Sequence, residues 1–148
     1  MKDNLTKYVL GFMLSQEYGQ VALIKKQRPA WQHGLLNGIG GHIEEGERAV
    51  VAMAREFAEE TGVQTITDSW IHRLTMVSDS WICLVYAFMC DCSLVDVGLR
   101  TMTDEEVVVY SFPLQEDDKM ISNLRWIIPL LLDQEAPTLI HAYYAAHE

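Results

Sequence analysis

Residues 41–63 read GHIEEGERAVVAMAREFAEETGV. Glu56, Glu59 and Glu60 stand at i, i+3 and i+4, so a helix through them gathers three carboxylates on one face. At 100° per residue, Val50, Ala54, Phe57, Ala58 and Thr61 point roughly the other way. The segment therefore reads as a helix that buries one stripe in a core and presents an acidic cluster on the other. Three adjacent carboxylates repel one another unless a cation neutralises them. A hard divalent ion such as Mg²⁺, which takes oxygen ligands and often bridges to phosphates, suits that role. Ahead of the helix, Gly38, Gly40, Gly41 and Gly46 predict a loop whose backbone needs close approach or positive φ. The helix is predicted from Gly46 or Glu47 to Thr61, with Gly62 as its C-terminal cap.

The rest of the chain alternates short apolar runs with turn chemistry. Residues 7–14 and 20–27 read as two strands of a hairpin around the turn at residues 15–19. Residues 28–36, with Pro29 and Gly34, read as a loop. Residues 70–77, 81–90 and 107–112 are further strand candidates, the last rich in β-branched residues. Residues 113–119 form an acidic loop. Residues 121–132 are apolar at helical spacing, with Pro129 placed to interrupt or kink the helix. The tail from Pro137 is partly apolar and carries no clear period. Its stretch Leu139–Tyr144 suits packing on its own domain or a homodimer contact.

At 148 residues the chain is long enough for one domain with a sizeable core, and no repeat or linker divides it. The formal net charge of −10 argues against a nucleic acid polymer as partner, which would need a basic footprint. No apolar run is long enough to span a membrane, and the polar N-terminus lacks the apolar stretch of a secretory signal. Three cysteines, Cys83, Cys90 and Cys92, fit reduced thiols in a cytoplasmic setting. Cys90 and Cys92 close an apolar strand pattern, so they read as buried cysteines rather than as a metal or redox pair.

The glycine and carboxylate spacing of residues 41–63 also matches the Nudix box. That pattern is Gly, five residues, Glu, seven residues, Arg-Glu, an apolar residue, any residue, Glu-Glu, any residue, Gly and an apolar residue. Gly41, Glu47, Arg55, Glu56, Phe57, Glu59, Glu60, Gly62 and Val63 fill its specified positions. Phe57 is aromatic where the family usually carries an aliphatic residue. On these residues the chain resembles the Nudix hydrolases, with 23 of its 148 residues carrying the match. The resemblance implies an α/β fold, a mixed β-sheet sandwiched between α-helices, as one domain over residues 1–148.

It further implies hydrolysis of a nucleoside diphosphate linked to a group X, with Mg²⁺ or Mn²⁺ as cofactor. Carried over residue by residue, Glu56, Glu59 and Glu60 are the metal-binding face, joined by a backbone carbonyl near Gly41. Glu56 is also a candidate general base. Arg55 and Glu47 match the family's internal pair, which orients the acidic network. Asp104-Glu105-Glu106 precedes a strand where several members place a further carboxylate, and Glu105 is the residue chosen as metal ligand or base. Lys26 and Arg28 share a strand face and are assigned to substrate phosphates. The stretch Asn37-Gly38-Ile39-Gly40-Gly41 resembles that of MutT-like enzymes acting on oxidised purine triphosphates, where the Asn contacts the base. Asn37 could do so here or cap the loop. Residues 126–131 (WIIPLL) match a later base-reading region, but the acidic pair found there in those enzymes is missing. Asn123 stands nearby as a base reader, and Trp126 reads mainly as core packing.

The expected substrate is a small-molecule nucleotide, foremost a nucleoside triphosphate split to monophosphate and pyrophosphate. ADP-ribose or a dinucleotide is the enzymatic alternative. A non-catalytic binding module is the alternative of another class. Degenerate members usually lose box glutamates, and none is lost here.

Overall fold

The computed structural model describes residues 4–145. β1 (Thr6–Ser15) is the centre of the fold. Its apolar run is buried on both faces: Phe12 and Leu14 join one core cluster, Val9 and Met13 the other. A continuous apolar strand is what two covered sheet faces require. β2 (Gln20–Lys25) returns from β1 in the predicted hairpin, but the two pair only at Leu14↔Val21 and Ser15↔Gln20. Beyond that point they diverge. β3 (Leu36–Asn37) pairs with the far end of β2, and β4 (Ile39–His42) takes the vacated edge of β1, from Tyr8↔His42 to Gly11↔Ile39.

α1 (Ala49–Thr61) follows and covers one face of the sheet. β5 (Ile71–Val77) and β6 (Trp81–Met89) form a second hairpin, and β6 runs parallel to β1 over its length. β7 (Glu106–Ser111) is antiparallel to β2. α2 (Leu124–Leu132) buries Leu124, Ile127, Ile128 and Leu131 against the opposite face. β8 (Ile140–Tyr143) ends the sheet, parallel to β5. The result is an α/β fold: an eight-stranded mixed sheet between two helices. Among the described residues, no helix is long and apolar enough to cross a membrane.

Several expectations are corrected. Gly40 and Gly41 lie in a strand, not a loop, because β4 must fill the gap left where β2 leaves β1. Gly46 alone of the four has positive φ, in the turn before the helix. α1 starts at Ala49, later than predicted, because residues 44–47 close that turn with Glu47 N–H donating to the Glu44 carbonyl at 3.0 Å. Its fully buried stripe is Ala52, Met53, Phe57 and Thr61. The helix does end at Gly62, whose φ of 75° lets its N–H reach the Ala58 carbonyl. The tail supplies a strand that its sequence did not announce. α2 continues through Pro129, which can donate nothing to the preceding turn. Trp126 is 41% exposed rather than core-packed.

Two packing features hold α1 in place. Trp70 sits between Phe57 of the helix and Phe88 of β6, each ring 5.2 Å away and edge-on. β4 is pressed so close to β1 that a Cβ on Gly40 would stand 1.9 Å from the Val9 carbonyl oxygen. Backbone cannot yield there as a flexible side chain could. Gly40→Ala should therefore destabilise the protein by more than about 2 kcal/mol, read by chemical denaturation. A change within about 0.5 kcal/mol would refute the tight β1–β4 contact.

Candidate active site

The site is assembled where β4, the turn at residues 43–47 and the helix α1 meet. Arg55 organises it. Its Nε donates to Glu47 Oε2 at 2.8 Å and its Nη2 to Glu47 Oε1 at 2.9 Å, a bidentate pair. Nη2 also donates to the His42 carbonyl at 3.0 Å. Nη1 donates to Glu56 at 3.0 Å and to both oxygens of Glu59 at 3.3 Å. One guanidinium thus joins strand, turn and helix.

The same contacts set the local pKa values. The Arg55 hydrogen bonds hold the Glu47 carboxyl below its ordinary range. A carboxylate lowered in the folded state stabilises the fold at neutral pH, and that stabilisation is lost as pH falls from the ordinary value of about 4.3 through the folded one. Glu56 moves the other way. Burial raises it, Glu59 and Glu47 add to the rise, and Arg55 opposes it. Glu60 is also raised, first by burial and then by the charges of Glu105 and Glu56. These two groups weaken the metal-free fold as pH rises through the interval between their ordinary and raised values.

Gly41 lies directly against Glu56. A Cβ there would fall 2.5–2.7 Å from the carboxylate atoms, so only glycine leaves that space to the carboxylate. Among the described residues no lysine or arginine forms an ion pair with Glu60. Its Oε2 instead accepts from the Thr103 hydroxyl at 3.1 Å. That hydroxyl oxygen also accepts from Glu105 N–H at 3.1 Å, so Thr103 links the helix to the turn before β7. The sequence reading missed Thr103. The available signal was its hydroxyl two residues ahead of Glu105, a spacing that favours a side-chain-capped turn.

The other predicted residues fall into three groups. Glu105 is only 4% exposed; its Oε1 accepts from Lys26 Nζ at 3.1 Å and its Oε2 from Gln27 N–H at 2.7 Å. Arg28 pairs with Asp104 on the exposed rim. Asn37 donates to Gln32 Oε1 at 3.3 Å and accepts from Gly38 N–H at 2.7 Å, so its amide is engaged within its own loop. Asn123 stands among other partners, donating to Tyr144 Oη at 3.3 Å, and its Oδ1 is buried with no hydrogen-bond partner. Asn37 and Asn123 share no bond. A groove of about 750 Å³ lies behind the 43–47 turn, lined by Lys7, Glu44, Glu45 and Ile82 among others. None of Glu56, Glu59 and Glu60 lines it.

Donor chemistry fits a hard divalent cation: three carboxylates on one helix face, two of them raised by burial and by neighbouring carboxylates, beside a glycine that keeps backbone close. Among the described residues, oxygens of Glu56, Glu59 and Glu60 do not all lie within 4.8 Å of one another, so closing on one ion takes side-chain rotation. Comparison with known proteins gives the family and the fold. Residues 5–133 match the NUDIX domain family. Among curated proteins, none matches the chain in sequence. Of solved structures, a mutator MutT protein from Bacillus halodurans superposes with a TM-score of 0.72 at 16% identity, over 95% of this chain and 90% of that one. A MutT/nudix family protein from Enterococcus faecalis gives 0.64 at 17% identity, over 77% of this chain and 46% of that one. A bifunctional NMN adenylyltransferase/ADP ribose pyrophosphatase from Francisella tularensis, complexed with AMP and a manganese ion, gives 0.68 at 18% identity, over 86% and 41%. The chain spans less than half the length of those last two proteins. The chain belongs to the NUDIX domain family, and its fold is that of the Nudix hydrolases.

Arg55→Lys keeps the charge and removes the fork. It should cost about 1–3 kcal/mol in denaturant unfolding and lower kcat more than it raises KM. Unchanged stability and turnover would remove Arg55 from its organising position.

Proposed function

We propose that this Nudix hydrolase splits a nucleoside triphosphate to the monophosphate and pyrophosphate, using Mg²⁺ or Mn²⁺ held by Glu56, Glu59 and Glu60. The carrying observation is the carboxylate cluster itself. It is costly to the metal-free fold, only partly neutralised by Arg55, and placed beside Gly41. Such an arrangement is stabilised by a cation and gains nothing from being a solvated helix face. The bound ion would supply charge neutralisation at the phosphates and a water of lowered pKa.

The protein's own groups divide the remaining work. Glu56, half-buried with a raised pKa, is the candidate base for the attacking water. Glu47 and Arg55 keep the helix and the turn in register. Lys26 meets the phosphates with its free N–H groups while it stays on Glu105, and Arg28 on the exposed rim does so by leaving Asp104. Glu105, with both oxygens engaged, positions Lys26 and adds to the negative field at Glu60. Asn123 is the candidate base reader, although its Oδ1 is buried and would meet a base N–H only after its side chain turns away from Tyr144. Asn37, bonded to Gln32 and to the Gly38 N–H, shapes the chain between β3 and β4.

The B. halodurans protein is described as a mutator MutT protein, and this chain aligns with nine-tenths of its length, which supports the triphosphate reading. ADP-ribose is the second reading, supported by the similar likeness to the pyrophosphatase-bearing F. tularensis protein. A panel of ordinary and oxidised nucleoside triphosphates, ADP-ribose and dinucleoside polyphosphates, with Mg²⁺ and with Mn²⁺ and with products identified, separates them. Release of pyrophosphate from a triphosphate is the expected result. Exclusive cleavage of ADP-ribose would reassign the substrate, and binding without turnover of any of them would leave a nucleotide-binding module.

Glu60→Gln should lower kcat by at least about a hundredfold at saturating Mg²⁺. The same variant should be more stable than wild type in chelator, by up to about 1 kcal/mol, because it removes a raised, repelled carboxylate. It should also lose most of the Mg²⁺-dependent rise in Tm. A variant that turns over like wild type, or is less stable without metal, would overturn the assignment.

A further inference from the structure

The chain carries a second cluster of metal-ligating groups, at the opposite end of β1 from the carboxylates. Cys90, Asp91 and Cys92 follow β6 directly. Contrary to the sequence expectation, Cys90 and Cys92 are both partly exposed. Their Sγ atoms are 2.8 Å apart, and one oxygen of Asp91 lies within 4.8 Å of both sulfurs. Among the described residues no lysine or arginine forms an ion pair with Asp91.

The tripeptide is fixed on both flanks. Cys90 N–H donates to the Leu14 carbonyl at 2.7 Å, extending the β1–β6 ladder by one rung. On the other side, Leu94 N–H and the Ser93 hydroxyl both donate to Gln20 Oε1, at 2.7 and 3.2 Å. Leu94 itself is fully buried. Three donors on a clamped bend pay little ordering entropy when they close on an ion.

We propose that Cys90, Asp91 and Cys92 bind a thiophilic divalent cation of the Zn²⁺ class, with the fourth position open to water. Tetrahedral Zn²⁺ with bonds of about 2.3 Å to sulfur sets its ligands just under about 4 Å apart, within reach of a small outward rotation of the two thiols. On binding, both S–H bonds break, two metal–sulfur bonds form and two protons pass to solvent. The two sites differ in chemistry. The glutamates offer hard oxygen to Mg²⁺, and the cysteines offer soft sulfur. They also differ in place. The register runs from Tyr8↔His42 at one end of β1 to Leu14↔Met89 at the other. Six residues of strand separate those ends by about 20 Å.

The test is a Cd²⁺ titration of phosphine-reduced, full-length protein in excess Mg²⁺, which keeps the glutamates occupied. Thiolate-to-cadmium charge-transfer absorption is the readout, and Zn²⁺ affinity follows by competition. One equivalent should saturate wild type. Cys90→Ser and Cys92→Ser should each weaken binding by at least about tenfold, and Asp91→Asn by less. Glu59→Gln and Cys83→Ser should leave the titration unchanged, the Cys83 thiol being buried and pushed up to about 12. In the unmutated protein, Zn²⁺ should shield Cys90 and Cys92 from alkylation, as located by peptide mass spectrometry. A missing absorption band, a band that survives the double serine variant, or alkylation indifferent to Zn²⁺ would each overturn the proposal.

Discussion

The fold of the active end depends on one guanidinium. Arg55 is held by Glu47 through two parallel hydrogen bonds, and from that anchor it touches Glu56, Glu59 and the backbone of β4. Without it, four carboxylates would crowd the junction of a turn and a helix with little to offset their repulsion. Its planar fork matters as much as its charge, because a point charge cannot fix both the turn and the helix at once. The turn can close only because Gly46 takes positive φ, and the helix can follow only because the turn is closed.

That arrangement trades stability for chemistry. Glu47 gains from its partner, whereas Glu56 and Glu60 are raised by burial and by neighbouring carboxylates. A solvated acidic face would relax outward, but here the Trp70, Phe57 and Phe88 stack locks the helix from behind. Rigid packing on one side of α1 therefore maintains unfavourable charge on the other. This strain is what a bound cation would relieve, and it is why the cluster reads as a binding site.

The split in the sheet serves the same end. β2 leaves β1 after two paired residues, and β4 enters the gap, carrying Gly41 to the Glu56 carboxylate. The chain leaving β2 carries Lys26 to Glu105 and Arg28 to Asp104, and the charges of Lys26 and Glu105 both act on Glu60.

Much of this was legible in the chain. The i, i+3, i+4 spacing of Glu56, Glu59 and Glu60 determined a shared face, because helical geometry is local, whereas Glu47 precedes the helix and its pairing with Arg55 came from the resemblance to the Nudix box. The apolar runs of β1, β2, β5, β6 and β7 were legible for the same local reason, as was the Gly62 cap. The strand through Gly40 and Gly41 was not, since it exists only because β2 departs from β1. β8 was hidden because its partner, β5, is distant in the chain and a parallel edge strand leaves no turn signal. The engagement of Lys26 with Glu105, the link made by Thr103, the orphaned oxygen of Asn123 and the meeting of Cys90 with Asp91 and Cys92 were likewise decided in three dimensions. Sequence spacing alone determines which side chains share a helix face or strand face. Which carboxylate is buried, which cation answers it and which polar atom goes unpaired depend on contacts between segments that only the folded sheet brings together.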